Sequence, residues 1–461
     1  MNLLGSVRDL KSFIKPGLIA LIPVFLGCDA ANDAGTEFNL QTNIDVALTE
    51  FELESSNLFI DSLRTDGESK VLTGSYNDPI TGRLTTEGYF QFKYSGGTLP
   101  VEQNSASVTD TLDFDSLYII LEPTDLIPFS QSGLLSFDVV ELTDTLLNSI
   151  VYLGNKQEEF DRTIGSFEMT VNMEDDTLYL IKLNDSYGLE LFNLVVNVAR
   201  STEEAIGSYK FKDLGLIPTS SSEAMALINT GSVNSQLRMY MSGLADSVYT
   251  AFFSIEGASY THVDRSASTY GAFPEKQNFE LTDGSNRTIM DPLAGVTTIF
   301  NIDELQTFFD DNPNILINTA ILDFSNENTL SRDTLENFRL YFRKPDGGIF
   351  SPAIVQNPFS NIIMRDDGYL SAQNSPALGN YNIEKVKYSV SPTLFFQALY
   401  NNYQRLVDSE MPGALIYIDP FQSDTIQISD LVLINQIDVT LQQAVFNSTG
   451  IKLKIFYTEV N

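Results

Sequence analysis

The sequence predicts an all-β chain of tandem β-sandwich, jelly-roll-like domains with few short helices, and three observations carry this. Short runs with period-two alternation, or rich in β-branched and aromatic residues, recur beyond about residue 44. Clusters of Gly, Asn, Asp and Pro separate them, such as Asp66-Gly67, Asn77-Asp78-Pro79, Pro345-Asp346-Gly347-Gly348 and Asp367-Gly368; these residues tolerate turn geometry. Helical periodicity is confined to two stretches. Residues 391–404 offer Ser391 as N-cap, Pro392 at the first helical position and an apolar stripe of Leu394, Phe395, Ala398 and Leu399. Residues 302–310 place Ile302, Leu305, Phe308 and Phe309 on one face.

Taken in order, residues 1–27 read as a signal peptide: a basic stretch with Arg8, Lys11 and Lys15, then an apolar run from Leu18 to Leu26 broken by Pro23. That run is too short for a comfortable spanning helix. The lone cysteine follows directly, in Phe25-Leu26-Gly27-Cys28, which resembles a bacterial lipoprotein signal. The resemblance implies cleavage before Cys28 and a diacylglycerol and an acyl chain on that residue; the alternative is an ordinary signal or anchor with a chance cysteine. Residues 28–43 are small, polar and acidic, an acidic flexible linker in which Asp29, Asp33 and Glu37 are either a surface-export signal or a solvated spacer.

Strands are expected at 116–122, 135–142, 177–183, 235–241 and 248–255, within an N-terminal sandwich over 44–264. A turn-rich stretch with weak periodicity marks 265–294 as an inter-domain linker. The C-terminal jelly-roll-like domain over 295–461 holds strands at 315–324, 336–343, 414–418 and 451–458. In the last, Ile451, Leu453 and Ile455 fall on one face and Lys452 and Lys454 on the other, the pattern of a half-buried strand. Residues 88–94 add an aromatic-rich strand with Tyr89, Phe90, Phe92 and Tyr94; exposure of these rings would mark an interface.

Charge narrows the function. Among 461 residues stand 27 Lys and Arg against 61 Asp and Glu, a formal charge of −34. Nucleic-acid binding needs a basic face to displace counterions from phosphates, so no nucleic acid is expected as partner. A hydrophobic share of 43%, with 31 Phe and 20 Tyr, gives material for substantial cores. One His and one Cys exclude an intrachain disulfide and remove most metal sites.

Residues 61–92 resemble the opening segment of a family of Bacteroidota lipoproteins, the domain-of-unknown-function family numbered 4270. The residues that carry it are Ser62, Arg64, Thr65 and Asp66, then Leu72, Gly74, Ser75, Tyr76, Asn77, Asp78, Pro79 and Gly82. Ser259-Tyr260-Thr261-His262 and the order of elements over 293–324 extend the resemblance across nearly the whole mature chain. It implies a cell-envelope setting but no activity; the expectation set beside it is a lipid-anchored protein of the outer membrane, with the cell surface favoured over the periplasmic face and an outer-membrane protein as partner. The C-terminal part also resembles jelly-roll modules related to carbohydrate-binding domains, through Ile317 to Leu322, the 391–404 helix, Ala414 to Ile418 and Ile451 to Tyr457. Those modules commonly carry a Trp near the helix, and this chain has none.

No catalytic constellation is expected, so no enzyme. His262 is the lone imidazole, read as structural, and no Gly-x-Ser-x-Gly elbow occurs. A carboxylate-dependent glycoside hydrolase is the third reading, because β-sandwich enzymes can hydrolyse sugars with two acids spaced across a cleft; with 61 acidic residues some pair will always look suitable, so their number does not diagnose it. Calcium is weighed at Glu174-Asp175-Asp176, Asp310-Asp311-Asn312 and Arg365-Asp366-Asp367-Gly368, none with the acidic spacing of an EF-hand loop. No metal and no cofactor are expected beyond the lipid on Cys28. Arg64, Asp66, Tyr76, Asn77, Asp78 and Pro79 form the candidate docking segment, with a purely structural turn at Asn77-Asp78-Pro79 as the alternative. The reading is a binding or structural subunit of a cell-envelope complex for outer-membrane barrel assembly, secretion or uptake; a surface glycan-binding lipoprotein is the runner-up.

Overall fold

Alternating side chains need two covered faces, and this chain provides them with two antiparallel sheets of eleven strands each, seen in a computed structural model. The structure describes residues 45–59, 63–66, 69–98, 112–128, 132–171, 178–199, 210–243, 248–269, 278–279, 287–301, 304–327, 332–335, 337–343, 378–391, 393, 396–397, 400–401, 415–419, 427–429, 432–434 and 441–460. Cys28, the signal segment and the linker over 28–43 lie outside the described residues, as do Glu174 to Asp176 and Arg365 to Gly368.

The chain begins with β1 (Val46–Glu52) and β2 (Ser55–Phe59). The first sheet then runs through β3 (Lys70–Asp78), β4 (Gly82–Gly97), β5 (Asp113–Leu121), β6 (Pro123–Ile127), β7 (Gly133–Leu142), β8 (Phe160–Val171) and β9 (Tyr179–Lys182). After helix α1 (Asp185–Ala199) it is completed by β10 (Leu214–Pro218), β11 (Met225–Asn229), β12 (Gln236–Ser242) and β13 (Val248–Asp264). The second sheet holds β14 (Asn278–Phe279), β15 (Arg287–Met290), β16 (Val296–Asn301), β17 (Ile315–Asn326), β18 (Asn337–Arg343), β19 (Leu378–Asn382), β20 (Lys387–Val390) and β21 (Leu415–Asp419). Helix α2 (Glu304–Asp311) lies between β16 and β17, a short hairpin pairs β22 (Gln427–Ser429) with β23 (Val432–Ile434), and β24 (Ala444–Glu459) ends the sheet.

The all-β reading holds. In β24, Ile451, Leu453 and Ile455 are fully buried, while Lys452 and Lys454 on the other face pair with Glu50 and Asp323. The 302–310 helix is α2, and positions 393, 396, 397, 400 and 401 of the 391–404 stretch are helical. Helix α1 was not expected. Its stripe of Tyr187, Leu191, Phe192, Val195 and Val196 is buried in the first core, but aromatic and β-branched residues read locally as strand. Gly188 lets α1 approach β5, since a Cβ there would meet Phe114 Cζ at 2.2 Å.

In the first sheet the order is β6-β11-β3-β4-β13-β12-β5-β9, with β10 joining β4 to β7 and β8 beyond β7. A bridge from Gly165 to Leu183 brings the β8 edge against the β9 end, so the sheet folds over into two layers around one apolar core. Phe92, Phe211, Phe253 and Tyr94 fill it with edge-on and stacked ring pairs 5.2–5.9 Å apart. The rings of residues 89–94 are therefore core: Tyr89 and Phe90 are fully buried, so the exposure that would have marked an interface is not met.

Two boundaries also change. Strands β1 and β2, assigned by sequence to 44–264, pair with the second sheet: Phe51 faces Leu453 across β24 and Leu58 faces Thr297 across β16. Phe51 and Leu53 need that core to bury their side chains. Within the expected linker 265–294, β15 pairs with β24, and Leu293 and Ala294 are buried in a turn closed by mutual bonds of Asp291 and Val296. These residues join an apolar cluster shared by the two sheets, with Leu72, Leu84, Met225 and Val263 from the first and Phe59, Ile289, Val296 and Val445 from the second.

Beside that shared cluster sits a buried ion pair. Arg332 donates to Asp291 through both terminal nitrogens (2.5 and 3.0 Å), and to the carbonyls of Leu441 (2.7 Å) and Gln442 (3.2 Å). Both side chains are fully buried. Burial alone would pull the guanidinium down, but Asp291 and Asp78 beside it hold it charged.

Candidate docking groove

Arg64 and Asp66 stand together on a short segment that runs beside Leu153. Thr65 N donates to Tyr152 O (3.1 Å), Gly154 N donates to Leu63 O (2.7 Å), and Thr65 Oγ1 is anchored on Thr261 O (2.6 Å). This leaves the Arg64 guanidinium free to bond Asp66 at 2.5 Å at the wall of a surface cleft of about 510 Å³.

The facing wall is the loop after β7, held by buried polar groups. Asp213 Oδ2 accepts from Leu146 N (2.6 Å) and Gln91 Nε2 (3.2 Å), and Gln91 Nε2 also donates to Leu146 O (2.7 Å). Tyr152 hydroxyl accepts from Leu147 N at 2.7 Å. With the backbone satisfied inward, Leu147, Ile150 and Val151 are left 50%, 42% and 43% exposed. Val233, on a turn lining the same cleft, is 88% exposed.

The floor comes from a bulge in β13 between Ile255 and Ser259. Gly257 there has φ +108°, and a Cβ would meet Gln91 Oε1 at 2.3 Å. Only glycine combines that backbone with the close approach of Gln91, whose Oε1 accepts from Ala258 N at 2.9 Å. A second cleft of about 660 Å³ shares Leu147, Asn148, Glu256 and Gly257 with the first, and adds Lys93, Lys210 and Asp213. The two make one groove, apolar at the rim and charged along its walls. Burial pushes the Asp213 carboxyl up to about 6, opposed by its bonds from Leu146 and Gln91.

Beneath the loop, Tyr152 stacks on Tyr260 at 4.3 Å, and Tyr260 lies 5.0 Å from Tyr89. Tyr260 donates to Glu158 (2.8 Å) and Tyr89 donates to Glu87. Desolvation, followed by these neighbouring carboxylates, pushes both phenols well above the ordinary tyrosine value, so they remain donors. The cluster braces the groove, with Tyr152 reaching its lining. His262 is 9% exposed, with Nδ1 2.9 Å from Gly154 O, a bond in which the ring donates.

The candidate segment divides. Arg64 and Asp66 line the groove; Tyr76 to Pro79 do not. Tyr76 is half-buried against the cluster shared by the sheets, Asn77 and Pro79 are exposed, and Asp78 is buried. Asp78 Oδ1 accepts from Ile80 N (2.8 Å) and Thr81 N (2.9 Å), which closes the β3–β4 turn. Of the calcium candidates, Asp310 and Asp311 are exposed at the end of α2 and Asn312 caps it on Phe308 O (2.7 Å). Among the described residues no group of three or more metal-capable side chains stands together, and no described helix is long and apolar enough to cross a membrane. Sequence reasoning did not single out Leu147, Ile150, Val233 or Asp213; the lone Gly257 within a strand pattern was the available signal for a bulge.

Compared with family models, curated proteins and solved structures, the chain matches none.

Proposed function

We propose that this protein is a non-catalytic subunit of an outer-membrane complex, tethered through lipid on Cys28 at the cell surface, that docks a partner polypeptide in the groove beside Arg64 and Asp66. The supporting observation is a groove whose rim is apolar and preset: Leu147, Ile150 and Val233 are exposed on loops whose backbones are already bonded inward. Preset loops lose little conformational freedom on binding. Apolar anchors ringed by charged groups are the arrangement by which protein interfaces concentrate their energy. The partner segment is one that offers an apolar side chain between Leu147 and Val233, with opposite charge toward Glu256 or Arg64.

The test is a photo-crosslinking amino acid at Val233 in the full-length lipoprotein, irradiated in native membranes, against the same group at Leu316, an exposed site on the second sheet. A single outer-membrane adduct from Val233 and none from Leu316 is expected; no adduct, or the same adducts from both, overturns the reading. Cys28→Ser in the same strain should abolish labelling by a fatty-acid analogue and release the protein from the membrane fraction.

A further inference from the structure

The outer face of the first sheet carries a second feature, further along β12 and β13 from the Ser254 end that lines the groove. Strand register places four side chains in one row across β9, β5, β12 and β13: Lys182 is opposite Tyr118, Tyr118 opposite Arg238, and Arg238 opposite Phe252. In β12 the intervening residues Leu237, Met239 and Met241 are fully buried, so Arg238 and Tyr240 are on the outward face. Tyr118, Arg238, Tyr240 and Phe252 are each half-exposed. Tyr240 meets Tyr118 edge-on at 6.0 Å and 82°, and the Arg238 guanidinium lies 5.3 Å from the Phe252 ring centre.

Arg238 is the informative member. In a chain with a formal charge of −34, its guanidinium makes no ion pair among the described residues, and its Nε is buried without an acceptor, which leaves the terminal nitrogens to carry any outward contact. Lys182 in the same row is already matched by Asp185 at 2.9 Å. Asp115 accepts from Ser242 Oγ at 2.9 Å on the neighbouring strand ends. A guanidinium held over a ring, with its fork unspent and aromatic rings on both sides, fits a carboxylate attached to something with a flat apolar face.

We infer that this face binds an acidic saccharide, with a uronate carboxylate on Arg238 and neighbouring pyranose rings over Tyr118, Tyr240 and Phe252. Strands stand about 4.8 Å apart, so Tyr118 and Phe252 are separated by roughly 10 Å, a span comparable to a disaccharide lying across the strands. The row runs across four adjacent strands on an outward sheet face, which suits an extended sugar chain. In this row a nucleic acid would meet one cation without an ion pair, Arg238, on a strongly acidic body, far short of what phosphate binding requires. Repulsion from the rest of the protein is screened beyond about 8 Å at physiological salt, so the field at the row is set mainly by the Arg238 guanidinium within it. This site is independent of the docking groove.

Titration calorimetry with purified soluble protein, using hexasaccharides of galacturonate and of mannuronate against cellohexaose as the neutral control, tests it. Binding of at least one uronate and much weaker binding of cellohexaose are expected. Arg238→Gln should weaken the uronate about tenfold or more, and Tyr118→Ala or Tyr240→Ala should weaken it by up to about tenfold, with an unchanged thermal midpoint as the folding control. Silence toward both uronates, equal binding of the neutral chain, or undiminished binding by Arg238→Gln overturns the inference. None of these outcomes bears on crosslinking at Val233.

Discussion

Removing Arg332 asks what the buried ion pair contributes to joining the second sheet's loops. Arg332→Met takes away four hydrogen bonds, two to Asp291 and one each to the carbonyls of Leu441 and Gln442. It leaves Asp291, fully buried, with Ala294 N and Gln443 Nε2 as donors, each at 3.0 Å, and no cation. Breaking one side of a buried pair costs about 3–5 kcal/mol, most of it from the charge left behind. Adding Asp291→Asn removes that charge while keeping an acceptor for Ala294 N, so the double variant should recover about 1–2 kcal/mol of the loss. Urea unfolding followed by far-ultraviolet circular dichroism measures both, with the coupling taken from the double-mutant cycle. A loss below about 1 kcal/mol for Arg332→Met, or no recovery on adding Asp291→Asn, would mean that water reaches the pair and the burial argument is wrong.

Other expectations concern the groove. Asp213, pushed up to about 6 by burial, sits above the unfolded value of about 3.9, so the folded protein binds the extra proton between those limits. Its contribution to stability is therefore fully present below about pH 4 and is lost as pH rises through about 6. About 2 pH units at about 1.4 kcal/mol each gives up to about 3 kcal/mol. Unfolding of Asp213→Asn relative to wild type should shift by up to that amount in the variant's favour between pH 4 and pH 8, and a flat difference would contradict it. Gly257→Ala should cost about 1–3 kcal/mol through its left-handed backbone and speed hydrogen exchange at Leu146 NH by loosening Gln91. Tyr260→Phe, which removes the donor to Glu158, should cost about 1–2 kcal/mol in thermal or urea unfolding.

What was legible in the sequence was local. The alternation of Ile451, Leu453 and Ile455 with Lys452 and Lys454 predicts its strand because each residue's face follows from the pleat alone. Membership of a sheet is a different matter, since the partner of Glu50 is Lys452, 402 residues away. No window along the chain contains that pairing, and β1 and β2 were accordingly placed with their sequence neighbours. Arg64 and Asp66 were visible as a charged pair, yet the groove they face is made by Gln91, Leu146, Asp213 and Gly257, which meet only after the first sheet folds over. The Tyr118, Arg238 and Phe252 row is similar. Each lies on a strand the sequence predicts, whereas their alignment depends on lateral register, which side-chain alternation leaves open by steps of two residues.

The pairing of β1 with β24 also bears on how the molecule is assembled as it is made. The first sheet is an insertion between β2 and β14 of the second, and β24 is the hub on which β1, β15 and β17 all hydrogen-bond. A chain synthesised from its amino end presents β1 and β2 long before their partners exist. Closing so long a loop as an open coil is slow, but the inserted sheet, once folded, holds Phe59 and Val296 side by side and shortens the remaining search to the second sheet's own strands. A ribosome that stalled before residue 444 would release a complete first sheet with β1 and β15 lacking the strand they pair with, the open edges through which other chains are captured.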